Sequence, residues 1–229
     1  MLNDYEKFKV VRPIIGDHEI DEFNMPIMHR VTEDMLDLEN ATGLNLKNLS
    51  CKYDNTKKIV FSFNHDYDLL KFWGDPLKYI PRIRTAMAVG TPDYSVLDNM
   101  NPNEIQHNVY MNRWLGCLWQ DYGGIAIPSI PWAGSLTYDI CFSGIEPNGV
   151  VMISTLSTSE HLNEFFDGFR AMKEALSPSL IIVYGKMLDG MTGRFINFDY
   201  EECFNDNQVK YRQEELFHVS PIFEIKEVM

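Results

Sequence analysis

The chain has 229 residues, room for one large domain or two small ones, and 33 acidic against 20 basic side chains give it a net charge of −13. That balance excludes a broad cationic face for bare DNA or RNA and speaks against an anionic membrane surface as partner. With 45 % hydrophobic and 13 % aromatic residues, the composition also excludes a disordered chain.

Met1 to Arg12 is mixed polar and charged, with no basic stretch leading into an apolar run, so no secretory signal is expected. No segment approaches the roughly 20 apolar residues of a membrane span. Residues 1–58 read as an N-terminal arm or cap. Ile14, Ile15, Pro26 and Ile27 suggest short extended pieces, Thr32 caps a short helix running to Glu39, and Asp54-Asn55 makes a turn.

A regular alternation begins at residue 59. Ile59–Phe63 is a strand, and Asp66–Trp73 a helix broken by Gly74. Asp75-Pro76 restarts a helix, with Asp as cap and Pro in its first turn. Ala86–Val89 is a second strand. Asn103 caps a long helix carrying Ile105, Val109, Leu115 and Tyr122 on one face, stopped by Gly123-Gly124. Ile125–Ile127 and Val150–Ile153 are strands. Ser157-x-x-Glu160 fits a capping box that opens a helix with Leu162, Phe165, Phe169, Met172 and Leu176 along one side. Leu180–Tyr184 and Phe195–Phe198 follow as strands. Residues 200–229 read as a C-terminal extension, in which Phe217-x-Val219 and Ile222-Phe223 can add an edge strand.

Short, continuously apolar strands alternating with helices indicate an α/β core over residues 59–199, built on a mainly parallel sheet of about six strands. The sheet is expected to be doubly wound or a partial, irregular barrel. Cys51, Cys117, Cys141 and Cys203 form no Cys-x-x-Cys pair. Free thiols in a reducing compartment are expected, with no zinc site, no disulfide framework and no cofactor.

In parallel α/β sheets, ligands lie beyond the carboxyl ends of the strands. The loops there carry Asn64-His65-Asp66, Asp93-Tyr94-Ser95, Trp132, Ser154 and Tyr184. Asp93 is a candidate acid/base, although an Asp after Pro is often only a turn cap. Trp132 can stack on a base or sugar, or fill the top of the core. His65-Asp66 can be an acid/base pair or a helix cap. Ser154–Ser159 precedes a helix N-terminus but lacks the glycines of a phosphate loop. Arg113 is the only Lys or Arg in residues 101–150, among four acids. It can pair with Asp139, or hold a phosphate or carboxylate. Catalytic serine, zinc-protease and nucleotide-loop motifs do not occur.

In order and combination, several pieces resemble one family. They are Phe72-Trp73, Pro92-Asp93-Tyr94-Ser95, Tyr110-x-Asn112-Arg113-x-Leu115-Gly116, Gln120, Ile127-Pro128, Trp132, Thr137-Tyr138-Asp139-x-Cys141-Phe142, Ser154-Thr155 and Val183-Tyr184-Gly185. Over residues 61–185 the chain resembles the domain-of-unknown-function family 4417 of phages, prophages and other mobile elements. It departs from the family pattern at Ser143 and Leu156. The resemblance implies an α/β core and a mobile-element setting; with no signal or membrane span expected, the location is expected to be the host-cell cytoplasm. It adds Asn112, Arg113, Gln120 and Asp139 as polar candidates.

The resulting candidates are Asp93 and Asp139 for catalysis, and Ser95, Asn112, Arg113, Gln120, Trp132, Ser154 and Tyr184 for ligand binding, with no metal. The favoured reading is a protein that binds or processes a nucleotide or nucleic-acid component. A phage-encoded interaction protein that inhibits a host or anti-phage defence protein, and a virion accessory component, stay open. Whether the protein is an enzyme, and its oligomeric state, are not decided by the sequence.

Overall fold

A computed structural model describes residues 4–156, 158 and 161–204. The capping box at Ser157-x-x-Glu160 and the edge strand expected near 217–223 lie outside the described residues.

The chain order is α1 (Asp4–Val10), β1 (Thr42–Asn45), β2 (Lys58–Phe61), α2 (Asp66–Gly74), α3 (Ile80–Ile83), β3 (Ala88–Gly90) and α4 (Pro102–Asp121). Then come β4 (Ala126–Ile127), α5 (Tyr138–Cys141), β5 (Val150–Ser154), α6 (Leu162–Leu176), β6 (Leu180–Tyr184), β7 (Phe195–Phe198) and α7 (Tyr200–Phe204). Every strand pair is parallel, as the continuous apolar runs require.

The expected single sheet of about six strands is corrected. Among the described residues there are two sheets, β1-β2-β3-β4 and β5-β6-β7. One isolated parallel bridge, Ser129↔Met152, joins their edges. It is made by Ile130 N–H to the Met152 carbonyl and Met152 N–H to the Pro128 carbonyl, both 2.9 Å. Proline explains the break: Pro128 and Pro131 flank the bridge and have no N–H to extend a ladder.

Strand alternation sorts the core. Ile59, Phe61, Ala88 and Ile127 of the first sheet share one buried cluster with Val150, Met152, Leu180, Ile182, Tyr184 and Phe198 of the second. The alternate residues Val60, Val89 and Ala126 pack with Trp114, Leu115 and Leu118 of α4. Val151, Ile153, Ile181 and Val183 pack with Phe165, Phe169 and Met172 of α6. Both faces of both sheets are therefore buried. The approach of α7 to β1 is close: a Cβ on Gly43 would lie 2.3 Å from Cys203 Sγ, so only glycine fits.

Several local expectations shift. The helix expected from Thr32 is a 3₁₀ turn, Glu33–Met35. The cap of α4 is Asn101, whose side chain accepts from Asn103 N–H, with Pro102 in the first turn. The N-cap position of α2 is His65, and Asp66 is its first residue. β1 lies inside the segment read as an arm and pairs in register with β2. No described helix is long and apolar enough to cross a membrane.

Candidate functional site

A cleft of about 840 Å³ opens at the carboxyl ends of the strands, where parallel α/β topology places ligands. Its size is within the range of small-molecule sites. Its walls come from both sheets. Phe63, Asn64 and His65 follow β2, and Asp93 to Asp98 follow β3. Ile130 to Ala133 follow β4, and Ser154, Leu156 and Thr158 end or follow β5. Lys47, His161, Glu164, Phe165 and Tyr200 complete the lining.

Asp93 is held by its loop. Its N–H donates to the Ser62 carbonyl at 3.4 Å. Two residues on, Ser95 N–H and Oγ–H both donate to Asp66 Oδ1 at 3.1 Å. Asn108 Nδ2 donates to the Ser95 carbonyl at 2.7 Å. The carboxyl itself has a buried oxygen, Oδ1, with no hydrogen-bond partner. Burial, reinforced by the charge of Asp66 and opposed by Arg113, pushes the Asp93 pKa up to about 7. In the same lining, the buried Nδ2 of Asn64 is also without a partner. A buried polar atom normally finds a partner, so a donor and an acceptor left open in one cleft fit a bound ligand or water.

The Asp93 shift carries a stability signature. The unfolded carboxyl titrates near 3.8 and the folded one near 7, so the native state holds the extra proton between those values. This term therefore weakens the fold as pH rises from about 4 to about 7, by at most ~4 kcal/mol. Asp93→Asn removes it. The variant's stability relative to wild type is expected to climb across that window in paired urea melts. A difference independent of pH would contradict the buried, near-neutral carboxyl.

Trp132 forms one wall. Its indole packs against Phe165 with centroids 5.4 Å apart. It lies so close to α6 that a Cβ on Gly168 would fall 2.1 Å from its Cδ1. Gly168→Ala is expected to push the indole toward the cleft and to cost about 1–3 kcal/mol. A shift in tryptophan emission together with the lowered melt would register both effects. Unchanged emission and stability would mean that α6 yields instead.

Of the nine candidate residues, Asp93, Ser95, Trp132 and Ser154 line the cleft; the other five do not. Asn112 and Arg113 are fully buried beneath the loops. Thr91 Oγ1 donates to Asn112 Oδ1 at 2.7 Å, and Asn112 Nδ2 donates to the Pro92 and Ser129 carbonyls at 2.9 and 3.2 Å. Arg113 donates through Nε to the Ser143 carbonyl at 2.9 Å and through Nη2 to the Cys141 carbonyl at 2.6 Å. Its Nη1 donates to Asn112 Oδ1 at 2.5 Å and the Ser129 carbonyl at 3.3 Å. The guanidinium is thus consumed by the fold. The expected pairing with Asp139 is corrected, because that side chain is exposed on α5.

Gln120 is also structural. Its Nε2 donates to the His29 and Ala126 carbonyls at 2.9 and 3.0 Å, at the strand end opposite the cleft. Tyr184 is buried below the cleft floor, stacked on Phe61 and Phe63 with centroids 4.6 and 5.5 Å apart. Its hydroxyl accepts from Asn45 Nδ2 at 3.3 Å, and burial raises its pKa.

The structure adds residues the sequence reading had not put forward. Lys47 follows the unread strand β1 and pairs with Asp68 at 2.7 Å. His161 Nδ1 meets Glu164 Oε2 at 2.9 Å at the start of α6. A histidine three residues before an acid at a helix start was the available signal for this pair.

Comparison with known proteins gives the lineage. The chain is 34 % identical over 128 residues to the Gene 1 protein of Mycobacterium phage L5, covering 55 % of this chain and 56 % of that protein. It is 32 % identical over 128 residues to the Gene 1 protein of Mycobacterium phage D29, covering 55 % and 47 %. The chain spans about half the length of these curated relatives. No solved structure matches. Residues 28–201 match the family described as Domain of unknown function (DUF4417), a longer stretch than the 61–185 that carry the motifs, and the chain belongs to that family.

Proposed function

We propose that the cleft binds and processes a nucleotide or nucleic-acid component, with Asp93 as acid/base and Trp132 as the stacking wall. The observation that carries this reading is the Asp93 carboxyl. It has an unpartnered buried oxygen and a pKa near 7, and it lines a ligand-sized cleft at the carboxyl ends of parallel strands. A group poised near neutrality both accepts and donates a proton at little cost. Asn64 supplies an amide donor for a base edge or sugar hydroxyl. Lys47, His65 and His161 supply nitrogen contacts for a phosphate. Asn112 and Arg113 are positioning residues that hold the loops bearing Asp93 and Trp132.

The test is a ligand-observed NMR screen of nucleosides, nucleotides and short oligonucleotides against wild type and Trp132→Ala. Saturable binding to wild type, weakened about 10-fold or more in Trp132→Ala, is expected from the worth of base–aromatic stacking. No binding across the screen, or binding indifferent to the substitution, would overturn the reading.

A second reading, a protein that docks on a host or defence protein, draws on Leu136 and Leu97. They are 100 % and 55 % exposed, on loops joined by the Gly134 N–H to Asp98 hydrogen bond beside the cleft. Leu136→Ser, at a residue outside the cleft lining, would abolish such docking and leave nucleotide binding intact.

A further inference from the structure

A second cluster of titratable groups lies at the strand end opposite the cleft, and the proposed function does not use it. Asp17 and His18 come from the N-terminal segment, and His29 from the stretch that Gln120 ties to the start of β4. One donor atom from each of the three falls within 4.8 Å of the other two. The His18 and His29 rings stack, with centroids 4.1 Å apart and planes 25° from parallel.

The hydrogen bonds around the two imidazoles fix their chemistry. His18 is 4 % exposed, and its Nδ1 lies 2.7 Å from the Ile27 carbonyl. A carbonyl only accepts, so Nδ1 carries the proton and Nε2 keeps the open lone pair. His29 Nδ1 faces Glu146 Oε1 at 3.2 Å, and its Nε2 faces Asp17 Oδ1 at 3.3 Å. His18 therefore has Nδ1 held by an acceptor and Nε2 open, whereas His29 has Nδ1 on Glu146 and Nε2 on Asp17, the contact an ion between the two side chains would replace. Metal-binding histidines are held in this way, with a carboxylate or carbonyl on the far nitrogen fixing tautomer and orientation. Glu146 is itself placed by accepting from Arg30 N–H at 3.0 Å.

We propose that Asp17, His18 and His29 form a divalent transition-metal site of the zinc class, with Glu146 orienting His29. Two imidazoles and one carboxylate, with a water in the fourth position, are a donor set suited to such an ion. Donors at the usual bond lengths of about 2.0–2.2 Å sit closer together than 4.8 Å, so the cluster must contract slightly on binding. Asp17, with its side chain 92 % exposed, can exchange its contact with His29 Nε2 for the ion. The bound ion would clasp the N-terminal segment to the 27–30 stretch and, through Glu146, to the loop before β5. The lack of a Cys-x-x-Cys pair bears only on thiolate sites and leaves a histidine–carboxylate site open.

The test uses the full chain without a polyhistidine tag, stripped with chelator and titrated with Zn²⁺ by calorimetry, with melts in parallel. One Zn²⁺ per chain with a Kd of about 10 μM or tighter is expected, with a raised Tm. Glu146→Gln should weaken binding about 10-fold or more, as outer-shell losses do. His29→Gln and Asp17→Asn should each weaken it further. Both alter exposed or half-exposed side chains, so folding is retained where a buried His18 variant risks losing it. Absence of saturable binding below about 1 mM, or the same affinity in wild type, His29→Gln and Asp17→Asn, would overturn the proposal.

Discussion

Asp93→Asn is expected to lower turnover of the cleft's substrate by about 10²–10⁴-fold while leaving its binding within a few-fold of wild type. The amide matches the carboxyl in shape, so the loop held by Asp66, Asn108 and Asn112 keeps its form. What disappears is a group that changes protonation near pH 7. A wild-type rate limited by a base at Asp93 rises with pH toward a plateau above about 7. One limited by an acid falls beyond the same point. Steady-state kinetics on the ligand found by screening measure both the size of the loss and the inflection. The titration is also visible without a substrate, as a ¹³C carboxyl resonance that shifts with a midpoint near 7. A variant that keeps both the rate and the inflection would remove Asp93 from the chemistry.

Arg113→Met is expected to destabilise the fold by about 3–5 kcal/mol, lowering Tm by about 6–20 °C for a chain of this size. Methionine fills part of the space but donates nothing. The Ser143, Cys141 and Ser129 carbonyls and Asn112 Oδ1 all lose a donor at a fully buried place. Arg113→Lys restores charge without the planar fork and should recover only part of the loss. Arg113→Met also removes the cation that opposes the Asp93 shift, so in that variant the carboxyl should titrate higher still. Thermal melts of both variants separate this from a ligand contact. A side chain that served only a ligand would leave Tm unchanged and abolish binding.

The parts of the fold legible in the sequence are those whose burial is written in consecutive side chains. β2, β5 and β6 carry the buried apolar runs Ile59–Phe61, Val150–Ile153 and Leu180–Tyr184, which read directly as parallel strands. β1 did not read as a strand, because Thr42-Gly-Leu-Asn45 has one apolar residue among four. Its glycine is dictated by contact with Cys203, far along the chain. The division into two sheets was equally hidden, since it turns on prolines that read as ordinary loop residues.

At the candidate site, position along the fold was legible and roles were not. Loops at strand ends led to Asp93, Ser95, Trp132 and Ser154, all of which line the cleft. Arg113 stood out as the lone cation of residues 101–150. Its acceptors are mainly backbone carbonyls at residues 129, 141 and 143, and a carbonyl has no signature in sequence. Asp139 drew attention as an acid in the family-matching Thr137–Phe142 stretch that could pair with Arg113. The 3.6-residue turn of α5 points it to solvent instead.

The junction between β4 and β5 has a mechanical consequence. Ladders within each sheet resist sliding, because a small slip costs several directional hydrogen bonds at once. Across the junction, one bridge carries all the directional bonding between the strands. The rest is apolar packing of Ile127 against Val150 and Met152, which tolerates small displacements. Trp132 stands on one side of this line, and Ser154 and α6 stand on the other. The molecule's compliant direction therefore runs across this line, where a small shift is resisted by one pair of backbone bonds, the Asn45–Tyr184 hydrogen bond and the packing of Trp132 on α6 rather than by a whole ladder.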